Sequence, residues 1–540
     1  MLCENLFSLE DIMKLKLLAL FLVLSLLLTG CQLFGDTSEC ANGHVDADSD
    51  GQCDVCYGLL WLSPGCSDGH SDTDSDGVCD VCQISVIVTV DIYAVNDLHG
   101  KVLDTSNQPG IDELTTLLKN AKAKNKNTVF ISTGDMWQGS FESNLTHGLM
   151  VTDWMNELGF ASMTLGNHEF DWGTDYIREN AEIANFPILA INLYEKATGE
   201  RPEYCESSVL IELNGIKVGI IGALGDVESD ISADRIEDVG FKVGSELTRL
   251  VREESEKLRS EGADLVIYSL HDGYGSSKNG TNSIPSSYLR SYYDPILSTG
   301  YVDIVFEAHT HQKYILTDTS GVYHLQASGE NKGISHAEID VNTVTGKTRV
   351  ANAEIINSGT YSKLSKDSIV SELKTKYNDT IAPGFRVLGT NSRYRDDSVL
   401  EATVASLYLN KGLEAWGDEY NIFLGGGFLK TRSPYNLAAG EVRYSDLLML
   451  FPFDNEIVLC SISGYNLKRK FVESTKEDYY CAYSDTANIK NIDTSATYYV
   501  VVDSYTSQYE SNGLTVVDTL GEGVFARDLL ADYILDGGFN

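Results

Sequence analysis

The sequence predicts an α/β fold built from βαβ units, in which mixed sheets are flanked by helices. Apolar runs rich in β-branched residues, typical of buried strands, recur between residues 84 and 308. Segments whose apolar residues fall at helical spacing separate these runs, and this alternation favours a mostly parallel or mixed sheet with helices outside. The length of 540 residues and the hydrophobic fraction of 43% suffice for two large domains with small appendages.

The chain is strongly acidic, with 40 Lys and Arg residues against 79 Asp and Glu residues and a formal net charge of −39. A field of this sign repels a polyanion such as duplex DNA, so the composition argues against binding of a nucleic-acid polymer. A small anionic substrate is still compatible with this charge where a local cluster of cations overrides the general field. Bound divalent metals are one source of such a cluster.

Residues 1–31 have the layout of a secretion signal. Lys14 and Lys16 precede the apolar run 17–28, and Leu28-Thr29-Gly30-Cys31 follows it. A membrane-spanning helix needs about 20 apolar residues, which this run does not supply. The segment resembles a bacterial lipoprotein signal. That resemblance implies cleavage before Cys31, lipid attachment to Cys31, and export of the protein to the outer surface of the cell membrane or the periplasm.

Residues 36–83 contain one pattern of Cys, His and Asp in two copies. The first copy holds Cys40, His44, Asp46, Asp48, Asp50, Cys53 and Cys56, and the second holds Cys66, His70, Asp72, Asp74, Asp76, Cys79 and Cys82. The Asp spacing resembles the start of an EF-hand calcium loop, but Tyr57 and Gln83 stand where that loop has Glu. The Cys and His residues instead suit structural zinc, and extracellular thiols can also pair as disulfides. We therefore expect a spacer stabilised by calcium or zinc, with a disulfide-linked or flexible stalk as the alternative.

The α/β domain is expected over residues 84–348. Predicted strands lie at 84–95, 128–133, 161–165, 187–192, 216–223, 265–270 and 304–308. Between them, apolar residues recur three and four positions apart over 111–121 and again over 247–258, which predicts a helix in each segment.

Side chains that bind metals follow five of these strands. They are Asp97 and His99, Asp135, Asn167, His271, and finally His309 and His311. Ligands of such sheets bind beyond the carboxyl ends of the strands, so these side chains are expected to converge. Asp135 is suited to bridge two cations because its carboxylate has two oxygens. The sequence thus predicts a hydrolytic site with two divalent metals, and histidine with carboxylate favours zinc, manganese or iron.

The order and spacing of these motifs resemble the signature of calcineurin-like metallophosphoesterases, and the fuller pattern resembles the secreted 5′-nucleotidase family. The resemblance implies a metallophosphoesterase sandwich of mixed sheets at residues 84–348. It assigns one metal to Asp97, His99, Asp135 and His311, and the other to Asp135, Asn167, His271 and His309. Ala308 stands where the family usually has Gly, a change of one methyl group.

The same resemblance leaves His168 free of metal. It implies that His168 stabilises or protonates the phosphoryl oxygens of the transition state, and that Asp171 orients its ring. His147, His324 and His336 lack a comparable context, so the sequence predicts that they are structural.

A polar, helix-rich linker is predicted at 349–390, followed by a smaller α/β domain at 391–540 that resembles the substrate domain of 5′-nucleotidases. This domain is expected to bring Gly426 and Gly427 close to a ligand. It would also stack Phe453 and Tyr505 on a planar ring. The family has Asn and Arg where this chain has Leu424 and Leu429, so Arg432, Arg395 or Lys430 is expected to supply the cation.

The expected function is hydrolysis of small phosphate esters outside the cytoplasm by a lipid-anchored monomer, with 5′-nucleotides converted to nucleoside and phosphate. A 2′,3′-cyclic nucleotide phosphodiesterase and a nucleotide-sugar or diphosphate hydrolase are the alternatives within the enzyme class. A non-catalytic surface binding protein is the alternative from another class, and the complete set of metal ligands argues against it.

Overall fold

The computed structural model describes residues 70–81, 85–104, 109–273, 301–318, 320–432, 436–473, 479–485, 487–508, 513–521 and 523–540. Several predicted site residues lie outside this description: Cys31, the first repeat copy from Cys40 to Cys56, Cys66 and Cys82. The chain divides into two compact units, Met1–Val88 with Val341–Lys347, and Thr89–Asp340 with Thr348–Asn540. Within the described ranges, no helix has the length and apolar character that crossing a bilayer requires.

Residues 87–357 form two main sheets, as the α/β prediction requires. The strands of this part are β1 (Ile87–Val95), β2 (Thr128–Ser132), β3 (Ser162–Thr164), β4 (Ile188–Leu189), β5 (Leu193–Glu195), β6 (Ser208–Leu213), β7 (Ile216–Leu224), β8 (Val239–Phe241), β9 (Leu265–His271), β10 (Ile304–Glu307), β11 (Tyr314–Thr317), β12 (Tyr323–Gln326), β13 (Gly333–Asn342) and β14 (Thr348–Asn357). Strands β5 and β8 pair with each other in a separate small sheet. Counting described residues alone, one sheet has the order β14-β13-β1-β2-β3-β4 and the other β11-β12-β10-β9-β7-β6. Strands β3 and β4 contact β7 of the facing sheet, so the two sheets form a sandwich.

Helices cover the outer faces of this sandwich. They are α1 (Asp112–Lys124), α2 (Phe141–Thr146), α3 (Leu149–Leu158), α4 (Thr174–Ile183) and α5 (Ser245–Ser260). Helix α1 buries Leu114 and Leu118 in the same core as Phe130 of β2, because these leucines lie four residues apart on one face. Helix α5 likewise buries Val251 and Leu258 in a second core.

The predicted linker at 349–390 begins too early. Strand β14 continues to Asn357, and only then do the short helices α6 (Ser358–Tyr361), α7 (Ser368–Lys376) and α8 (Asn378–Ile381) follow. Strand β14 lies at the edge of its sheet and exposes alternate residues, so its sequence lacks the continuous apolar run by which the other strands are recognised.

The C-terminal part contains a further sheet. Its strands and helices are β15 (Val387–Asn391), α9 (Asp397–Trp416), β16 (Ile422–Phe428), β17 (Gly440–Arg443), α10 (Tyr444–Leu450), β18 (Ile457–Ser463), α11 (Gly464–Leu467), β19 (Tyr479–Tyr483), β20 (Thr497–Asp503), α12 (Ser504–Gln508), β21 (Leu514–Thr519) and α13 (Ala526–Leu535). As far as the described residues go, the main sheet has the order β19-β16-β20-β18-β21. Helix α9 packs directly on β16, where a Cβ added to Gly425 would lie 2.2 Å from the backbone nitrogen of Leu409.

Candidate active site

The five motifs that follow predicted strands meet at one edge of the sandwich. Strands β1, β2 and β3 are parallel neighbours in one sheet, and β9 and β10 are parallel neighbours in the other. Their carboxyl ends therefore point the same way within each sheet. The chain reaches Asp97 after β1, Asp135 after β2, Asn167 after β3 and His309 after β10, while His271 is the last residue of β9.

The ligand atoms of Asp97, His99 and His311 lie within 4.8 Å of one another. Nε2 of His99 is 3.0 Å from Nε2 of His311, and the latter is 3.5 Å from Oδ1 of Asp97. Two imidazole nitrogens that face each other this closely, beside a carboxylate, suit a shared cation. This cluster contains three of the four residues that the resemblance assigns to the first metal.

The ligand atoms of Asp135, His271 and His309 form a second cluster of the same dimension. Oδ1 of Asn167 joins it, 3.1 Å from Nε2 of His271 and 2.9 Å from Nδ1 of His309. Oδ2 of Asp135 lies 3.3 Å from Nε2 of His271 and 4.0 Å from Nε2 of His99. Asp135 is therefore placed between the clusters, as a bridging carboxylate would be.

The imidazole rings are held so that one nitrogen of each faces the site. Nδ1 of His99 is 2.8 Å from the carbonyl of Gln138, and Nδ1 of His271 is 2.8 Å from the carbonyl of Thr133. A hydrogen bond donated at Nδ1 leaves the Nε2 lone pair for a metal. The chain's imidazole, carboxylate and amide groups thus fit two divalent cations.

Five of the seven predicted metal ligands have a left-handed backbone. Their φ values are 49° for Asp97, 51° for His99, 53° for Asp135, 68° for His309 and 53° for His311. Residues other than glycine rarely adopt this conformation, and it clusters at functional sites where the surrounding structure imposes it. The backbone itself therefore aims these side chains.

Glu169 organises the loop that carries Asp135, a role that its sequence position does not reveal. Its buried carboxylate accepts hydrogen bonds from the backbone nitrogens of Gly166, Asp135, Met136 and Trp137 at 2.7 to 3.1 Å. Burial and the nearby Asp135 charge raise the pKa of Glu169 to about 7. The signal in the sequence was its place beside His168, but three of its four contacts are with backbone atoms more than 30 residues away.

His168 lies beside the two clusters, and its ring contacts Asp171. Its Nδ1 is 2.8 Å from Oδ2 of Asp171, and its backbone nitrogen donates to Oδ1 of Asp135 at 2.9 Å. Burial opposes a charge on this ring, but the carboxylates of Asp171 and Asp135 outweigh it and raise the pKa of His168. With Nδ1 bound to Asp171, the Nε2 atom is the nitrogen that remains for a substrate oxygen.

A cavity of about 380 Å³ joins His168 to the C-terminal part of the chain. Its lining includes Asn167, Asp171 and His309 from the first part, and Phe453 and Tyr505 from the second. The Phe453 ring stacks on the His168 imidazole with centroids 5.8 Å apart and an interplanar angle of 25°. The two predicted aromatic residues thus share a cavity with the predicted catalytic histidine.

Two of the three proposed cations also line this cavity, namely Lys430 and Arg432. Nη1 of Arg432 donates to Oε1 of Gln138 at 3.3 Å, next to the His99 loop. Burial and the Arg432 charge lower the pKa of His99 well below its ordinary value. Arg432 therefore acts electrostatically on His99 of the first cluster.

Other predicted substrate residues lie elsewhere. The Arg395 guanidinium lies 4.0 Å from the Phe539 ring centroid and donates to the Asn391 side chain at 2.9 Å, and Arg395 is not among the residues that line the cavity. A Cβ on Gly426 would lie 2.0 Å from the carbonyl of Tyr480, and neither Gly426 nor Gly427 lines the cavity. The glycine run therefore allows neighbouring segments of the same chain to pack closely. The sequence had suggested that it approaches a ligand.

Arg527 was not identified from the sequence and holds the Phe453 segment. Its side chain is buried, donates to the carbonyl of Phe453 at 3.0 Å, and pairs with Asp454. Residues before α5 also contribute, since Asp230 lines the cavity with its Oδ2 3.5 Å from Nε2 of His309. Both residues are distant in sequence from the groups that they contact, so no local sequence motif predicts these contacts.

In the second repeat copy, ligand oxygens of Asp72, Asp74 and Asp80 lie within 4.8 Å of one another. Asp76 is outside this group, and its carboxylate accepts from the backbone nitrogen of Val78 at 2.8 Å. The predicted ligands His70 and Cys79 are not part of the group either.

Comparison with known proteins agrees with this site. A family model described as calcineurin-like phosphoesterase matches residues 90–313. Endonuclease YhcR of Bacillus subtilis is 25% identical over 71% of this chain, but the match spans only 32% of that longer protein. A 5′-nucleotidase of Vibrio vulnificus is 24% identical, with 73% of this chain and 77% of the relative covered.

The fold also matches a solved structure. The 5′-nucleotidase precursor from Thermus thermophilus superimposes with a TM-score of 0.61 at 17% identity, over 83% of this chain and 96% of that chain. The matching segment 90–313 carries all seven predicted metal ligands. Residues 90–313 therefore form a calcineurin-like metallophosphoesterase domain, which is the part of this chain that the family model matches.

Proposed function

We propose that this protein hydrolyses small phosphate monoesters, and that 5′-nucleotides, converted to nucleoside and phosphate, are its main substrates. The observation that supports the proposal is the shared cavity. Its lining brings His168 together with Asn167 and His309 of the second cluster on one side and with Phe453 and Tyr505 on the other, so it offers contacts to both a phosphate group and a planar base.

Two divalent cations bound by the clusters would polarise the phosphate oxygens and supply a nucleophilic water. The residues of the chain provide the rest. Asp171 fixes the tautomer of His168, which leaves Nε2 to donate a proton or hydrogen bond to an oxygen that gains charge in the transition state. Arg432 adds a positive charge on the side of the cavity formed by the C-terminal part.

Base recognition would rest on stacking. Phe453 and Tyr505 offer ring faces, and stacking on an aromatic side chain contributes about 1–3 kcal/mol per base in single-strand binding proteins. Leu424 and Leu429 are buried apolar residues, so they offer no polar contact to a base edge. Stacking by itself discriminates weakly among bases, because a wrong base leaves no buried polar group unpaired.

The Vibrio relative named 5′-nucleotidase supports the nucleotide assignment because the similarity extends beyond the metal-binding domain to 73% of this chain. The relative named endonuclease favours a longer substrate. The net charge of −39 argues against this second candidate, since a polyanion would be repelled over most of the surface. Cyclic nucleotides and nucleotide sugars place the same chemical groups in the cavity and are the remaining alternatives.

A substrate panel tests the proposal. Phosphate release is measured with the full chain in manganese or zinc, using adenosine and uridine monophosphate, a 2′,3′-cyclic nucleotide, a nucleotide sugar, glycerol phosphate and a short oligonucleotide. We expect both monophosphates to be cleaved with the highest kcat/KM, and His168→Ala to lower it by about 100-fold or more. A metal-loaded chain that binds nucleotides without releasing phosphate would be a binding protein, and preferential cleavage of the oligonucleotide would favour the nuclease.

We further propose that the chain is exported, anchored through lipid on Cys31, and active as a monomer. The sequence from Lys14 to Cys31 supports export and anchoring. The repeats at residues 36–83 would then act as a spacer between the membrane and the enzyme, and the Asp72, Asp74 and Asp80 group supports calcium as their ligand.

A further inference from the structure

A further cluster of carboxylates with one histidine, separate from the two catalytic clusters, lies on three neighbouring strands of the first sheet. Asp91 is on β1, His336 and Glu338 are on β13, and Glu354 is on β14. One ligand atom from each of Asp91, His336 and Glu338 lies within 4.8 Å of the other two. None of these residues belongs to the catalytic clusters, and the sequence had suggested only a structural role for His336.

His336 is the best-defined member of the cluster. The residue is 4% exposed, and its Nδ1 lies 3.0 Å from Oε1 of Glu354. Among the described residues its buried Nε2 atom has no hydrogen-bond partner, although it lies 4.0 Å from Oδ1 of Asp91. That distance is too long for a hydrogen bond. It leaves room for a cation between the two atoms, because ligands about 2.0–2.2 Å from one metal can lie up to about 4.4 Å apart.

The ligand groups are also held in place by other contacts. The Tyr93 ring stacks on the His336 imidazole with centroids 4.2 Å apart and an interplanar angle of 19°. Asn125 donates to Oδ2 of Asp91 at 3.0 Å and leaves Oδ1 on the side of His336. A hydrogen bond donated by Nδ1 of His336 to the Glu354 carboxylate is the arrangement that commonly orients a metal-binding histidine.

The negative charge of this region favours the binding of a cation. Asp91, Glu338 and Glu354 place three carboxylates around one imidazole, and in the described part of the chain they form no ion pair with Lys or Arg. Burial together with the charges of Asp91, Glu354 and Glu338 raises the pKa of the adjacent Tyr93 to about 12. Like charges this close destabilise the fold unless a positive group lies among them.

We propose that Asp91, His336 and Glu338 bind a divalent cation separate from the catalytic pair, and that Glu354 orients His336 for this role. One imidazole and two carboxylates suit zinc or manganese. The ion would join β1 to β13 and so brace the strand that leads to Asp97. Glu338 is only partly buried, which leaves a route of entry from the surface.

Anomalous diffraction tests the site directly. Crystals of the full chain grown with Mn²⁺ should show peaks at the two catalytic clusters and a further peak within bonding distance of Nε2 of His336. The catalytic peaks serve as the internal control for metal loading. Occupied catalytic sites with no peak at His336 would overturn the proposal.

Metal counting provides an independent test in solution. After loading with Zn²⁺ and dialysis, Glu338→Gln and His336→Gln should each retain one equivalent fewer than the wild-type chain while still releasing phosphate. Asp340→Asn is the matched control, because it removes a carboxylate from the same strand that lies outside the cluster, and it should retain the full count. Equal zinc content in all four proteins would contradict the proposal, and retained phosphate release shows that the variants have folded.

Discussion

Asp135 lies between the two ligand clusters, and its removal should affect both metals at once. His168 contacts the Asp135 loop but belongs to neither cluster. These two residues therefore separate metal binding from proton donation. The pair gives the clearest test of the roles that the family resemblance implies.

We expect Asp135→Ala to lose or weaken both catalytic metals and to lose activity, because two cations would repel each other without a carboxylate between them. His168→Ala should keep its metals and lose rate by about 100-fold or more, since only proton donation is removed. Elemental analysis beside phosphate release measures both effects. A metal-free His168→Ala variant would show that the division of roles is wrong.

Phe453 gives a second prediction at this scale. If its ring stacks on the base, Phe453→Ala should raise KM for adenosine and uridine monophosphate alike, by about 5-fold to 100-fold. Hydrolysis of glycerol phosphate, which has no ring, should be unchanged. Tyr465→Ala, which removes an exposed aromatic from the same part of the chain, is the matched control. Equal impairment of glycerol phosphate would instead mean that Phe453 acts through its contact with His168.

At the scale of secondary structure, the loop before α1 depends on a buried carboxylate in α2. Glu142 accepts from the backbone nitrogens of Val102 and Leu103 at 3.0 and 2.8 Å. Burial raises its pKa from 4.5 to about 7, so the folded chain holds a proton there that the unfolded chain releases. An acid with a raised pKa makes the folded state lose stability as pH rises from about 4.5 to 7.

Glu142→Gln keeps an acceptor oxygen and removes this titration. The unfolding free energy of the variant minus that of the wild type should therefore increase by about 1–3 kcal/mol as the pH rises from 5 to 8. Urea unfolding of both proteins at the two pH values measures the difference. A difference that does not change with pH would show that Glu142 is not protonated in the folded chain.

The strands and helices could be predicted where their burial requires a regular pattern of apolar residues in the sequence. All seven predicted strands and both predicted helices are present, because strands buried on both faces read as apolar runs. The pairing of those strands into two sheets was not predictable, since such runs do not specify their neighbours. Strand β6 was missed because its residues are mostly half-exposed.

The same limit applies to the site. Residue type and position at a strand end predicted the metal ligands, and the structure brings all seven together. Glu169 and Arg527 act through backbone atoms of remote residues, so their roles appear only after folding. The sequence offered Arg395 beside Arg432 as the cation, because residue type alone does not show which arginine faces the cavity.

At the scale of the whole molecule, the proposed lipid anchor on Cys31 would determine where the enzyme meets its substrate. We expect Cys31→Ala to abolish lipid modification and to leave the protein uncleaved or released into the medium. Stable anchoring needs two or more acyl chains. Because the lipid is proposed to be attached to Cys31, we expect the variant to lose membrane retention completely. Fractionation without detergent measures retention, with Cys205→Ala as a control for cysteine loss at a buried site. Normal membrane retention of Cys31→Ala would exclude lipid anchoring at this residue.

The left-handed backbone at Asp97, His99, Asp135, His309 and His311 implies a trade-off between activity and robustness. Glycine adopts this conformation without the steric penalty that other residues carry. In metal-free protein, Asp97→Gly should therefore unfold at a higher temperature than Asp97→Ala, although both are inactive. Selection for thermal stability alone would remove these ligands one by one, so their presence records selection for catalysis.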